Sequence, residues 1–428
     1  MLIRNKIPGL GKPTRLELKE PECIQLENGV DAFIIDAGAE AVTRVDLVLQ
    51  AGSVHQKKKL VADTVSHLLR EGTKNFNSKQ LAEKLDYFGA YFDVNASKDT
   101  TTLTLFSLSR YLSELLPLIG EMLNAAVFPE EELQIHLDRN RQEFLVNIEK
   151  VRYKASLEFN QLIFGENTAY GQVLELDDFE RLNRNDLLDF YHDYYTSGES
   201  YIILSGMVDD SVKALAGKYF GNGWRTGSRV SGSKLNYSTA NPRKRMYIKR
   251  EGSLQSAIRI GRQTVSKQHP DYNRFVLLNT ILGGYFGSRL MSNLREDKGF
   301  TYGVSSFVAN YLHNGYFAIA TEVNAEHTNA ALDEIYKEIK VLREKRVGDE
   351  ELKLVKNYIY GTFLRNFDGP FALAERFKAV KDFGLGFDFY QKSLSEILTI
   401  DAGQLIETAN KYLQTEDLYR LVVGEMGD

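Results

Sequence analysis

The stretch "SKQLAEKLDYFGAYFDVNAS", residues 78–97, reads as an amphipathic helix, a glycine turn and an aromatic-rich strand. The same order returns in "SRLMSNLREDKGFTYGVSSF", residues 288–307. One design used twice in a 428-residue chain makes internal duplication the first question.

The flanks of both stretches answer it. Upstream, "TRVDLVLQAGS" (43–53) alternates like a strand and leads into a helical run through Leu69. Its counterpart is "SAIRIGRQT" (256–264), followed by the helical "YNRFVLLNTILGG" (272–284). Downstream lie two period-2 strands, "TTTLTLFSLS" (100–109) and "GYFAIATEV" (315–323), each followed by a helix. New helices then start in "FPEEELQIHLDRNRQEFL" (128–145) and "VGDEELKLVKNYIYGTFL" (347–364), both with acids in the first turn, where they complement the helix dipole. Glu131-Glu132-Leu133 and Glu350-Glu351-Leu352 lie 219 residues apart, and Leu85 and Leu294 lie 209 apart. The pattern predicts an α+β fold of two homologous domains, each an antiparallel-rich sheet with helices packed on one face. The expected boundaries are 1–220 and 246–428, joined by a Gly-, Ser- and Asn-rich linker over 221–245.

Composition narrows the function classes. With 43% hydrophobic and 26% charged residues the chain reads as folded and soluble, and a net charge of −5 offers no field for nucleic acid. The opening "MLIRNKIPGLGKP" has a basic start but no apolar run behind it, so no signal peptide or membrane span is expected and the cytoplasm is the default location. The single cysteine, Cys23, excludes an intrachain disulfide and reads as a small, semi-buried apolar residue.

Chemistry concentrates in "VADTVSHLLREGT", residues 61–73. Val61, Val65, Leu68 and Leu69 recur at helical spacing, and Asp63, Ser66 and His67 punctuate them. Together with "LLREGTKNFNSKQLAEKLDYFGA", the block 164–210 containing Tyr170-Gly171, and "LGGYFGSRLMSNLREDKGFTYGV" (282–304), this stretch resembles the pitrilysin/insulinase-like (M16) metallopeptidases. The likeness is to their short, two-domain members related to mitochondrial processing peptidase. It implies a metallohydrolase fold of the M16/LuxS-like type.

In that family an inverted His-x-x-Glu-His motif precedes the Gly-Thr pair. Two histidines at i and i+4 share a helix face and reach one zinc ion, while the glutamate acts as general base on the metal-bound water. Aligned on Gly72-Thr73, those positions here are Asp63, Ser66 and His67. The family's third ligand falls near Glu143, with Glu149 as an alternative. The resemblance therefore implies a degenerate metal site, no cofactor in this chain, and zinc in a partner subunit. An Asp63/His67/Glu143 metal site supporting weak peptidase activity is the alternative. His55, His136, His192, His269, His313 and His327 are scattered and show no metal-type spacing.

The family's second signature is complete. It implies that Arg295 and Tyr302, within "LREDKGFTYGV", bind substrate backbone and stabilise an oxyanion. Read without the family, Arg295 is a surface residue paired with Glu296 or Asp297, and Tyr302 packs in a sheet. The expected function is a non-catalytic subunit paired with a zinc-bearing homologue as a heterodimer, or with a second copy, acting on unfolded or short peptides. A peptide-binding or scaffolding pseudo-peptidase is the other reading. The strand in "AYFDVNASKDTTTLTLF" is expected at a sheet edge, where an extended peptide can add.

Overall fold

The computed structural model describes residues 18, 20–227, 235–239 and 241–426. The first half runs β1 (Glu22–Gln25), β2 (Asp31–Asp36), β3 (Val42–Leu49), α1 (Val61–Leu68), α2 (Ser78–Tyr87), β4 (Tyr91–Ala96) and β5 (Thr101–Leu108). It continues with α3 (Leu112–Ala125), α4 (Glu130–Ile148), α5 (Val151–Phe164), α6 (Asp178–Arg181), α7 (Arg184–Tyr194), β6 (Tyr201–Gly206) and α8 (Asp210–Ala216). The second half runs β7 (Arg245–Lys249), β8 (Gln255–Thr264), α9 (Tyr272–Asn279), β9 (Val304–Asn310), β10 (Gly315–Asn324) and α10 (Thr328–Glu344). After it come α11 (Asp349–Arg365), α12 (Pro370–Lys381), α13 (Phe389–Thr399), α14 (Ala402–Tyr412) and β11 (Tyr419–Gly424). Two π-helical segments, Thr280–Gly284 and Met291–Asp297, lie between α9 and β9. Asn77, Asn183 and Asp401 open α2, α7 and α14 with capping boxes closed by Gln80, Asp186 and Gln404.

The sheets are copies of one plan. The first has the order β1-β2-β6-β3-β5-β4 and the second β7-β11-β8-β10-β9. Apart from the additional β1, the strands correspond one to one. In each sheet a single parallel pair, β2 with β6 and β7 with β11, sits among antiparallel neighbours. β4 and β9 form the outer edges, as the expected peptide-accepting strand requires for β4.

The helices of each half pack on one face of its own sheet, as expected, and the opposite face is covered by a helix from the other half. Odd residues of β3 (Val45, Leu47, Leu49) join the core formed with α1, α3 and α7. The opposite face, with Phe33, Ile35, Val48 and Ile203, is closed by α12 of the second half through Ala374, Phe377 and Val380. The second sheet is covered reciprocally. There α5 of the first half lays Ala155, Phe159, Leu162 and Ile163 on Ala257, Ala318, Leu421 and Val423. The exchanged helices begin at Val151 and Pro370, 219 residues apart, the same offset as the acidic triplets. A polar alternation such as Arg44–Asp46 suggests a solvated face, yet both residues are buried beneath α12.

Each exchanged helix covers a buried arginine. Arg44 pairs with Asp46 at 2.7 Å and with Glu375 of α12, and Thr104 donates to Asp46 at 2.6 Å. In the second sheet Arg259 reaches Glu322 at 3.4 Å and Ser156 of α5 at 3.5 Å. A third tie joins the halves: Tyr170 Oη donates to Asp99 at 2.6 Å, and the same carboxylate accepts from the Leu312 backbone at 2.9 Å. Gly171 is obligatory beside it, because a Cβ there would lie 1.9 Å from the Gly165 carbonyl oxygen.

Of the predicted linker, residues 228–234 and 240 lie outside the described residues. Trp224, at its start, is buried and donates to the Tyr195 carbonyl at 3.3 Å. Cys23 is exposed on β1, not semi-buried. Among the described residues no helix is long and apolar enough to cross a membrane. Replacing Arg44 with Ala leaves the Asp46 carboxylate buried without its cation, and we expect a loss of about 3–5 kcal/mol in chemical unfolding. The apolar pair Arg44→Met with Asp46→Leu should recover most of that loss.

Candidate functional site

α1 buries Val61, Ala62, Val65 and Leu68, which leaves Asp63 and His67 on the open side, one turn apart. Their side chains face each other, with His67 Nδ1 3.7 Å from Asp63 Oδ1 and 3.1 Å from the Asp63 carbonyl oxygen. The third member comes from α4. The His136 ring lies 5.0 Å from that of His67, and ligand atoms of Asp63, His67 and His136 all fall within 4.8 Å of one another.

The third member of this cluster is not the one the family resemblance implies. Glu143 stands seven residues past His136 on α4, on the same face but two turns, about 10 Å, further along. Its charge, after burial, helps push the Tyr153 phenol above its usual range. Glu149, the alternative, caps the far end of α4 and pairs with Arg250 at 3.1 Å. His136, read as one of the scattered histidines, is the residue that α4 brings to the site.

The three donors fit a metal ion. Two imidazoles and a carboxylate are a common zinc set and leave one position open. Burial, then the neighbouring His67 and Arg139, hold His136 down at about 4, so at neutral pH its ring is an uncharged donor. Asn140 Nδ2 lies 2.8 Å from His136 Nε2. What the site lacks is a base. Ser66 is 1% exposed and its hydroxyl donates back to the Asp63 carbonyl at 2.7 Å. That bond closes it inside α1, and a hydroxyl does not take a water proton as a carboxylate would.

The second signature lies on other elements. Arg295 belongs to the segment Met291–Asp297, and its guanidinium carbon sits 4.7 Å over the exposed Phe286 ring. Neither Glu296 nor Asp297 pairs with it; among the described residues it makes no ion pair or hydrogen bond. Tyr302 is 94% exposed and does not pack in a sheet. It lines a cavity of about 900 Å³ walled also by Glu149–Arg152, Ser253–Gln255, Thr301, Asn324 and His327. Arg295 is not part of that lining, and both side chains are left accessible.

Two family descriptions match the chain. Residues 33–163 match the insulinase (peptidase family M16) model, and residues 181–359 match the peptidase M16 inactive domain. The chain belongs to the M16 peptidase family. Its similarity to an uncharacterized zinc protease, YmxG, of Bacillus subtilis is 22% identity over 414 residues, 94% of this chain and 98% of that one. To the non-peptidase homolog YmxG of Helicobacter pylori it is 23% over 385 residues, 87% of this chain and 86% of that one. The subunit beta of the yeast (Saccharomyces cerevisiae) mitochondrial-processing peptidase is 21% identical over 394 residues, covering 87% of this chain and 82% of that one. The crystal structure of a peptidase M16 inactive domain from Pseudomonas fluorescens superposes with a TM-score of 0.87 at 22% identity, over 95% of this chain and 98% of that one. That likeness shows the M16 fold.

Restoring the missing carboxylate should not restore the chemistry. Ser66→Glu forces a charge into a packed helix face, so we expect the melting temperature to fall by several degrees and no cleavage of a fluorogenic peptide.

Proposed function

We propose that this chain is an M16 pseudo-peptidase: a subunit that holds peptide for a zinc-bearing homologue and performs no hydrolysis alone. The observation that carries the reading is the state of its second signature. Tyr302 is almost fully exposed at a cavity wall, and Arg295 has no carboxylate partner. An Arg and a Tyr kept free in this way suit donation to a ligand's carbonyl oxygens, from the ground state to a developing oxyanion. The replaced base position, with Ser66 tied into α1, supports the silent half of the proposal. The similarity to a subunit of the yeast processing peptidase favours pairing with a second chain over solitary action. The edge strand β4 offers backbone donors and acceptors to an extended peptide with little demand on its sequence. We place this work in the cytoplasm on sequence grounds.

A second reading has its own observation. The Asp63, His67 and His136 cluster suits a divalent ion, which would polarise a peptide carbonyl held at its open position. The chain's own contribution would then be three ligands and no base, so the ion serves to hold peptide or supports only weak hydrolysis.

Co-expression with a homologue carrying an intact His-x-x-Glu-His motif tests the first reading. The complex should cleave a fluorogenic peptide, and Arg295→Ala or Tyr302→Phe should each lower its kcat/KM by about 10–100-fold. Unchanged activity in both variants sinks the shared-site idea, and a complex that assembles without cleaving anything leaves a scaffold. Metal analysis tests the second reading. If the isolated chain carries one equivalent of zinc and His136→Ala removes it, this chain is itself a metal subunit.

A further inference from the structure

We infer that the cavity lined by Tyr302 takes a carboxylate-bearing stretch of peptide, held by Lys150 and Arg152. The inference rests on the peptide-holding reading above and adds which peptides are held.

Its walls come from distant parts of the chain: the α4–α5 junction, the turn between β7 and β8, and the loop ahead of β9. A space of about 900 Å³ is ample for several peptide residues. The charge inside is one-sided. Glu149 is the one carboxylate of the lining, and Arg250 already holds it at 3.1 Å. The Lys150 ammonium, by contrast, meets the neutral Asn147 amide at 2.8 Å. Arg152 is largely exposed and makes a long ion pair, 4.0 Å, with Glu322 Oε2, a carboxylate whose other oxygen is shared with Arg259 at 3.4 Å. Among the described residues, Lys150 therefore lines the cavity with no carboxylate paired to it, and Arg152 holds its one carboxylate only at the limit of ion-pair distance.

Around them stand neutral hydrogen-bonding side chains, Gln255, Asn324 and the Tyr302 phenol, suited to peptide amides. The exposed Leu254 offers an apolar contact for a flanking side chain. The guanidinium of Arg152 matches a carboxylate in a two-point fork, and Lys150 adds a point charge. Because the chain as a whole carries −5, anions are not attracted at large; the preference is local to this cavity. The carboxylate comes from acidic side chains or from a peptide's own C-terminus, which share this chemistry.

Fluorescence anisotropy on the full chain, with short peptides carrying an uncharged dye, tests the inference. The set is a neutral amidated peptide, the same peptide bearing glutamates, the same with a free C-terminal carboxylate, and one bearing lysines. We expect a carboxylate-bearing peptide to bind about tenfold tighter than the neutral one, an advantage that shrinks as salt is raised. The two carboxylate arms tell side-chain acids from the terminal group. The double variant Lys150→Glu, Arg152→Glu should bring that ratio to about one or below and favour the lysine peptide. Lys150→Gln with Arg152→Gln should remove the preference without reversing it, and a thermal melt confirms that both variants are folded. Peptide binding with no charge preference, or a preference that survives both variants, overturns this inference and leaves the peptide-holding reading standing. A folded chain that binds none of the peptides overturns that reading, and this one with it.

Discussion

Each sheet of this protein has a second face that its own half leaves bare, and a helix from the other half closes it. The architecture depends on that exchange. α12 buries the outer face of the first sheet and α5 the outer face of the second, with Arg44 and Arg259 pinned beneath them. Buried guanidiniums are tolerated only where their donors are met. The partners Asp46, Glu375, Glu322 and Ser156 therefore fix where the exchanged helices sit as well as how tightly. The site inherits this placement. α4 ends where α5 turns away to the opposite sheet, so one helix has His136 facing α1 near its start and Glu149 at the large cavity beyond its end.

Much of this was legible in the sequence. The strands, their alternation and the 219-residue offset announce two copies of one unit, and the structure supplies two sheets of matching strand order. The exchange was not legible, because Arg44 and Asp46 in β3 look like a solvated face until another element covers them. Nothing in the residues of α5 says which sheet its apolar side meets; that is decided by non-local packing. The site was read in part. Asp63, Ser66 and His67 stand together as the motif requires, but family spacing pointed to Glu143, two turns beyond His136 on the same face of α4. His136 could not be singled out from the sequence, because only the packing of α4 against α1 brings it beside His67.

The two signatures of the M16 family have diverged in different ways here. The metal position keeps ligating atoms but has lost its base, and Ser66 has turned inward to satisfy its own helix. Arg295 and Tyr302, the second signature, are both present and open, one over an aromatic ring and one in solvent. Binding a peptide needs donors and an accessible edge, whereas hydrolysing it needs a group to accept a proton from water. The donors that peptide binding would use are present and accessible, and the position of the family's base carries a serine.

The helix exchange also decides how such a molecule moves. In a two-lobed protein joined by a linker alone, the lobes can swing apart about a hinge and admit a ligand between them. Here each lobe carries a structural piece of the other, so swinging them apart would strip α5 and α12 from the sheets they cover and expose Phe159 and Phe377 to water. Among the described residues the two halves are thus held together by more than the segment that links them.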